Sequence, residues 1–89
     1  MPAPLSIVIP TLNAAGELPE TLAALTEGLQ AGLIRELVVS DGGSNDATPS
    51  IADAAGATLL TGTPGRGGQI ARGVEASKGD WVLILHADS

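Results

Sequence analysis

The chain has no cysteine, phenylalanine or tyrosine, and Trp81 is its one aromatic residue. Without cysteine there is neither a disulfide framework nor a zinc–thiolate site. The core has to be assembled from Leu, Ile, Val and Ala. Positive charge is scarce as well: Arg35, Arg66, Arg72 and Lys78 stand against ten carboxylates, for a net charge of −6. A nucleic-acid binder needs a basic face to neutralise phosphates, so that class is excluded, and an anionic membrane surface is an equally poor partner. No apolar stretch approaches the length that crosses a bilayer. The opening residues, Met1-Pro2-Ala3-Pro4, lack the basic stretch and long apolar run of a signal peptide. These absences predict a soluble, cytoplasmic domain.

What is present is a fold-sized supply of aliphatic residues: 44% of the 89 residues are hydrophobic, enough for one small domain. Four β-type runs alternate with three helical segments. Leu5 to Ile9 predicts a first strand, stopped by Pro10, which removes a ladder donor. Leu18, Leu22, Leu25 and Leu29 recur at helical spacing and predict an amphipathic helix ending near Gly32. Glu36 to Ser40 predicts a second strand. Thr48-Pro49 reads as an N-cap followed by proline at the first helical position, with Ile51 and Ala55 on one face and Gly56 as the stop. Ala57 to Thr61 predicts a weaker third strand and Gly62 to Gly68 a glycine-rich loop. Ile70, Ala71 and Val74 predict the inner face of a third helix. Trp81 to Leu85 is a continuous apolar run, the pattern of a parallel strand buried on both faces. The order βαβαβαβ with short connections predicts an α/β, mostly parallel, Rossmann-like sheet with right-handed crossovers.

Ligands of open α/β sheets collect at the carboxyl ends of the strands, and four segments of this chain carry chemistry there. Pro10-Thr11-Leu12-Asn13 follows the first strand and offers backbone and hydroxyl contacts to a nucleoside, or simply a strand stop and a helix cap. Asp41-Gly42-Gly43-Ser44-Asn45-Asp46 follows the second. Asp41, just past the strand end, is placed to accept from a base N–H or ribose hydroxyls, while Asp46 is suited to capping the next helix. Gly65-Arg66-Gly67-Gly68-Gln69 opens the third helix, where amides attract phosphate and Arg66 adds a fixed cation. His86-Ala87-Asp88 follows the fourth strand, where an oxygen ligand such as Asp88 suits a hard divalent cation. The glycines do not follow the first strand, so the dinucleotide fingerprint is absent. The P-loop ending in Gly-Lys-Ser/Thr is absent too.

Taken together, these segments resemble the nucleotide-sugar half of a family 2 glycosyltransferase of the GT-A fold. The carriers are Ser6 to Asn13, Asp41 to Thr48, Gly65 to Gln69 and Lys78 to Asp88, in matching order across nearly the whole chain. The texture is that of a bacterial subgroup with Asp-Gly-Gly-Ser and a His-Ala-Asp in place of Asp-X-Asp. The resemblance implies a nucleoside-diphosphate sugar as donor, with Pro10, Thr11 and Leu12 lining the nucleoside pocket and Asp41 contacting base or ribose. It implies that Arg66 and its loop, including Gly68, face base or phosphate. Asp88 would ligate Mn²⁺ or Mg²⁺ bridging the diphosphate, with His86 at the position of the first acid, as a ligand to ribose or metal or as neither. Four positions depart from the family pattern: Ala14 and Gly42 stand where acids are common, Ala71 where an asparagine is frequent, and His86 where the first acid of Asp-X-Asp is usual.

A family 2 catalytic domain is more than twice this long, and the general base belongs to the acceptor-binding part. The resemblance therefore implies the donor-binding portion of a transferase, incomplete as 89 residues. A sheet of this size with an uncovered edge or face predicts self-association. A second reading is a non-catalytic nucleotide-binding or assembly module of the same fold. A nucleotidyltransferase ranks third, because that class sets its basic, glycine-rich loop directly after the first strand.

Overall fold

The computed structural model describes residues 4–87. Along the chain run β1 (Leu5–Thr11), α1 (Leu18–Gln30), β2 (Ile34–Asp41), α2 (Thr48–Ala54), β3 (Thr58–Thr61), α3 (Arg66–Ala76) and β4 (Trp81–Ile84). The four strands form one sheet in the order β3-β2-β1-β4, and every neighbouring pair is parallel. This is the α/β architecture that the alternation predicts.

Side chains alternate between the two faces of a strand, so each face takes its own helices. Ile7 and Ile9 of β1, with Leu37 and Val39 of β2, form the core with Leu18 and Leu22 of α1 and Ala52 of α2. Each fully buried aliphatic side chain of this kind stabilises the fold by roughly 2 kcal/mol. Leu25 and Leu29, the remainder of the predicted stripe, pack half-buried against the same cluster. Val8 and Val38 point to the opposite face, fully buried, and α3 lies there. The chain thus moves outward from β1 to β3 with helices on one face, then returns past β1 to β4 with a helix on the other. That reversal makes a topological switch between β1 and β4, at whose carboxyl ends ligands collect.

Three sequence expectations need correction. Pro10 does not stop β1, which continues through Thr11 with Pro10 opposite Ser40. The Leu85 amide donates to the Val8 carbonyl, whereas the Thr11 carbonyl accepts from Gly42 on the other side. By alternation, Pro10 turns its missing N–H toward β4, beyond the last residue of that strand, so no ladder bond is lost.

The inner face of α3 is also different. The buried residues of α3 are Gln69 and Gly73, while Val74 is 44% exposed. Gly73 sits against Val8, where an added Cβ would collide with Val8 Cγ1. The absent side chain brings the helix axis close to β1, and Ala71 turns outward. The helix also begins earlier than the glycines predict, at Arg66, directly after Gly65 with a φ of 145°.

Finally, β4 is not buried on both faces. It pairs only with β1 and forms an edge, with Trp81 71% and Leu83 49% exposed. The helices α1 and α2 cover β1, β2 and β3 and leave this side of β4 open. No helix among the described residues is long and apolar enough to cross a membrane.

Candidate functional site

At the switch point lies an open cleft of about 440 Å³. Its walls come from Pro10, Thr11, Leu12 and Asn13 after β1, Gly65 and Arg66 at the start of α3, and His86 and Ala87 after β4. Ala14, Glu17 and Gln69 complete the lining. Of the residues expected to meet a nucleotide, Pro10, Thr11, Leu12, Arg66 and His86 therefore share one cleft. Asp41 and Gly68 are not part of its described wall, and Asp88 lies outside the described residues.

Asp41 has a different place because it is fully buried and its carboxylate is saturated. Oδ1 accepts from the hydroxyls of Thr11 at 2.7 Å and Ser44 at 2.6 Å. Oδ2 accepts from the amides of Gly43 at 3.0 Å and Ser44 at 2.7 Å. Burial by itself pushes this carboxyl up, but the Ser44, Thr11 and Gly43 donors outweigh it and hold Asp41 below the usual carboxylate range. All four acceptor positions are taken by the protein. Asp41 closes the turn after β2 and fixes the rotamer of Thr11 on the cleft wall.

The two loops after β1 and β2 are laced together from both sides. The Asn13 amide donates to Ser44 Oγ at 2.8 Å, and Asn13 Oδ1 accepts from the Asn45 amide at 2.8 Å. Asn13 adopts a φ of 51°, a conformation that asparagine tolerates better than most residues. The Ala14 amide donates to Thr48 Oγ1 at 2.9 Å, and the Ala15 amide to Asp46 Oδ2 at 3.1 Å. Asp46 also accepts from the Thr48 amide, closing a turn just ahead of α2. The cap position itself is Ala47, with no side-chain cap, so Asp46 is not the helix cap that the sequence suggests. Thr48 is accordingly the first helical residue rather than the cap, and its hydroxyl bridges Asp46 and Ala14.

The third loop is held by Gln69, which is 5% exposed. Its Nε2 donates to the carbonyls of Thr11 and Ser40, both at 2.8 Å, and its Oε1 accepts from the Gly65 amide at 3.0 Å. One side-chain amide thus ties the ends of β1 and β2 to the start of α3. Arg72 supports the same loop from behind, donating to the Thr63 carbonyl at 2.9 Å. Arg66 is left exposed on the cleft wall. The first-turn amides of α3 have no partner within the helix and add positive potential there.

Sequence reasoning did not single out Glu17 or Gln69. Glu17 sits one residue before α1 on an exposed turn with no pattern to mark it. Gln69 had a signal: a polar residue one turn from Gly73, on the face that α3 turns to the sheet. Among the described residues no three His, Cys, Asp or Glu side chains are grouped to hold a metal ion. The described lining of the cleft supplies instead one imidazole, of His86, and one carboxylate, of Glu17. Such a sparse set fits a hard cation of the Mg²⁺ or Mn²⁺ kind, which binds through one or two carboxylates and takes its other ligands from substrate phosphates and water.

Comparison with known proteins places this geometry. The model of glycosyl transferase family 2 matches residues 6–89. A PGL/p-HBAD biosynthesis glycosyltransferase of Mycobacterium bovis is 38% identical over 96 residues, covering 99% of this chain and 37% of that protein. Glucosyl-3-phosphoglycerate synthase of Mycobacterium tuberculosis is 31% identical over 93 residues, covering 94% of this chain and 28% of that enzyme. The crystal structure of the latter with UDP superimposes with a TM-score of 0.88 at 29% identity, over 98% of this chain and 34% of the other. Its complex with Mn²⁺ and UDP-glucose gives a TM-score of 0.86, over 97% and 33%. The chain spans about a third of the length of the relatives it matches.

Proposed function

The chain belongs to glycosyl transferase family 2, and on that footing we propose that its cleft binds the nucleoside diphosphate of a sugar donor together with a divalent cation. The observation that carries this reading is the convergence of Pro10, Thr11, Leu12, Arg66 and His86 on one cleft at the switch point. The matched crystal structures with UDP, Mn²⁺ and UDP-glucose support it, and favour uracil as the base.

In this reading Pro10, Thr11 and Leu12 form the nucleoside wall. Thr11 offers its backbone, since its hydroxyl is committed to Asp41. Arg66 and the first-turn amides of α3 face the diphosphate, with Gly68 contributing closeness of approach rather than a side chain. Asp88 ligates the cation, which neutralises charge developing on the leaving nucleoside diphosphate. Asp41 acts behind the wall, by holding Thr11. Donor binding is the activity assigned to these 89 residues; transfer requires a general base and an acceptor site beyond the elements described. The exposed edge strand β4 also favours self-association of the isolated chain.

A thermal-shift panel of UDP, GDP, dTDP and NAD, each with and without Mn²⁺, tests the assignment. One nucleoside diphosphate is expected to stabilise the chain with Mn²⁺ present, and Arg66→Ala to remove most of that shift. Equal responses to every nucleotide, or none to any, would overturn it.

A further inference from the structure

Gly42 occupies the place where the family's turn commonly carries a second acid, and the structure gives a steric reason for its bareness. A Cβ on Gly42 would stand 2.7 Å from Oε1 and 3.0 Å from Cδ of Gln69, and 3.0 Å from Cα of Pro64. The space that a side chain at position 42 would enter is filled by the Gln69 amide. That amide cannot retreat cheaply, because both donors and its acceptor are engaged with Thr11, Ser40 and Gly65. It is nearly inaccessible to water, so any bond lost leaves a buried carbonyl or amide unsatisfied.

We propose that Gln69 is a positioning residue of the donor site: it sets the Gly65–Arg66 segment against the ends of β1 and β2, and Gly42 and Gln69 form one coupled unit. This rests on the donor-site reading. Gln69 touches no ligand in this account. It fixes where the Gly65 backbone turns into α3, and so where Arg66 and the first-turn amides stand relative to Thr11. The contacts it governs most directly are those to the diphosphate. It also donates to the Thr11 carbonyl, but Thr11 has further anchors in its hydroxyl bond to Asp41 and its pairing with β2. The space beside Gly42 is taken by a neutral amide reaching across from α3.

The experiment compares UDP and uridine binding, with Mn²⁺ present, in the unaltered chain, Gln69→Met, Gly42→Ala and Leu22→Ala. Gln69→Met keeps the length of the side chain and removes its hydrogen bonds; Gly42→Ala pushes on the same amide from the other side. Both are expected to weaken UDP about tenfold or more and uridine several-fold less, so that the UDP-to-uridine ratio falls. Leu22→Ala destabilises the core away from the cleft and is expected to leave the UDP-to-uridine ratio unchanged. Should Gln69→Met not fold, Gly42→Ala decides on the same criterion.

Thermal melting supplies a readout independent of ligand. Gly42→Ala is expected to lower Tm more in the unaltered chain than in a Gln69→Ala background, where the obstructing amide is gone. An equal loss in both backgrounds overturns the coupling. A UDP-to-uridine ratio that is unchanged in Gly42→Ala, in a chain that otherwise binds UDP, overturns the positioning role alone. Failure of the unaltered chain to bind UDP overturns the donor-site reading, and the positioning role with it, while the Tm coupling remains to be judged by itself.

Discussion

Thr11 and Asp41 stand opposite each other in register at the carboxyl ends of β1 and β2, and the Thr11 hydroxyl donates to Asp41 Oδ1 at 2.7 Å. Both are buried, Thr11 at 3% and Asp41 at 0% exposure. The pair welds the floor of the cleft to the turn after β2. All four acceptor positions of the Asp41 carboxylate are engaged within the protein.

The first consequence concerns stability. Asp41→Ala strands the Gly43 and Ser44 amides and is expected to cost about 3 kcal/mol in urea unfolding. Asp41→Asn should cost about half of that. Its oxygen can keep the two amides, and the Thr11 and Ser44 hydroxyls can turn over to accept from its NH₂. A loss below about 1 kcal/mol in the alanine variant would contradict the buried, saturated geometry.

Acid should reach the same bonds. Among the described residues, the carboxyls of Glu36, Asp41 and Asp46 lie below their usual range. In Asp41 and Glu36 burial works upward and is outweighed by hydrogen bonds; for Glu36 these come from the Lys78 amide and Ser6 hydroxyl. Asp46 is exposed and is lowered chiefly by the Thr48 hydroxyl and amide. A carboxyl whose folded pKa is depressed binds fewer protons folded than unfolded. Its contribution is present in full above the unfolded value and is lost as pH falls through the folded one. Urea midpoints should therefore be level from neutrality to about pH 5 and decline below about pH 4. Asp41→Asn should flatten that decline. An acid limb of the same slope in the variant would contradict the assignment.

Much of this was legible in the sequence, and the parts that were not share a cause. The strand–helix alternation, the leucine stripe of α1 and the segments that meet at the cleft follow from local periodicity and turn chemistry. Pro10 misled because its effect depends on where β4 ends, seventy-odd residues later in the chain. The inner face of α3 misled because Gly73 packs by lacking a side chain, which a hydrophobicity pattern cannot register. Trp81 and Leu83 read as core, yet burial of a strand depends on what covers it. Asp41 was singled out from its place at the strand end, but its hydrogen bonds to Thr11 and Ser44 depend on partners that the local pattern does not pair with it.

The open side of β4 gives a third expectation. Trp81 and Leu83 share one face of an edge strand with unpaired backbone groups, the combination that invites pairing with a second copy. Sedimentation of the 89-residue chain should show a concentration-dependent dimer. Leu83→Lys should shift it to monomer. A monomer at every concentration in the unaltered chain would contradict this.

The most direct measurement is a calorimetric titration of UDP into the chain with and without Mn²⁺, repeated on Asp88→Ala and accompanied by a titration of Mn²⁺ alone. The account predicts one saturable UDP site whose affinity rises about tenfold or more with Mn²⁺, an increment lost in Asp88→Ala, and little response to Mn²⁺ by itself because the diphosphate completes its coordination. UDP binding that is indifferent to Mn²⁺, or no binding under either condition, would contradict it.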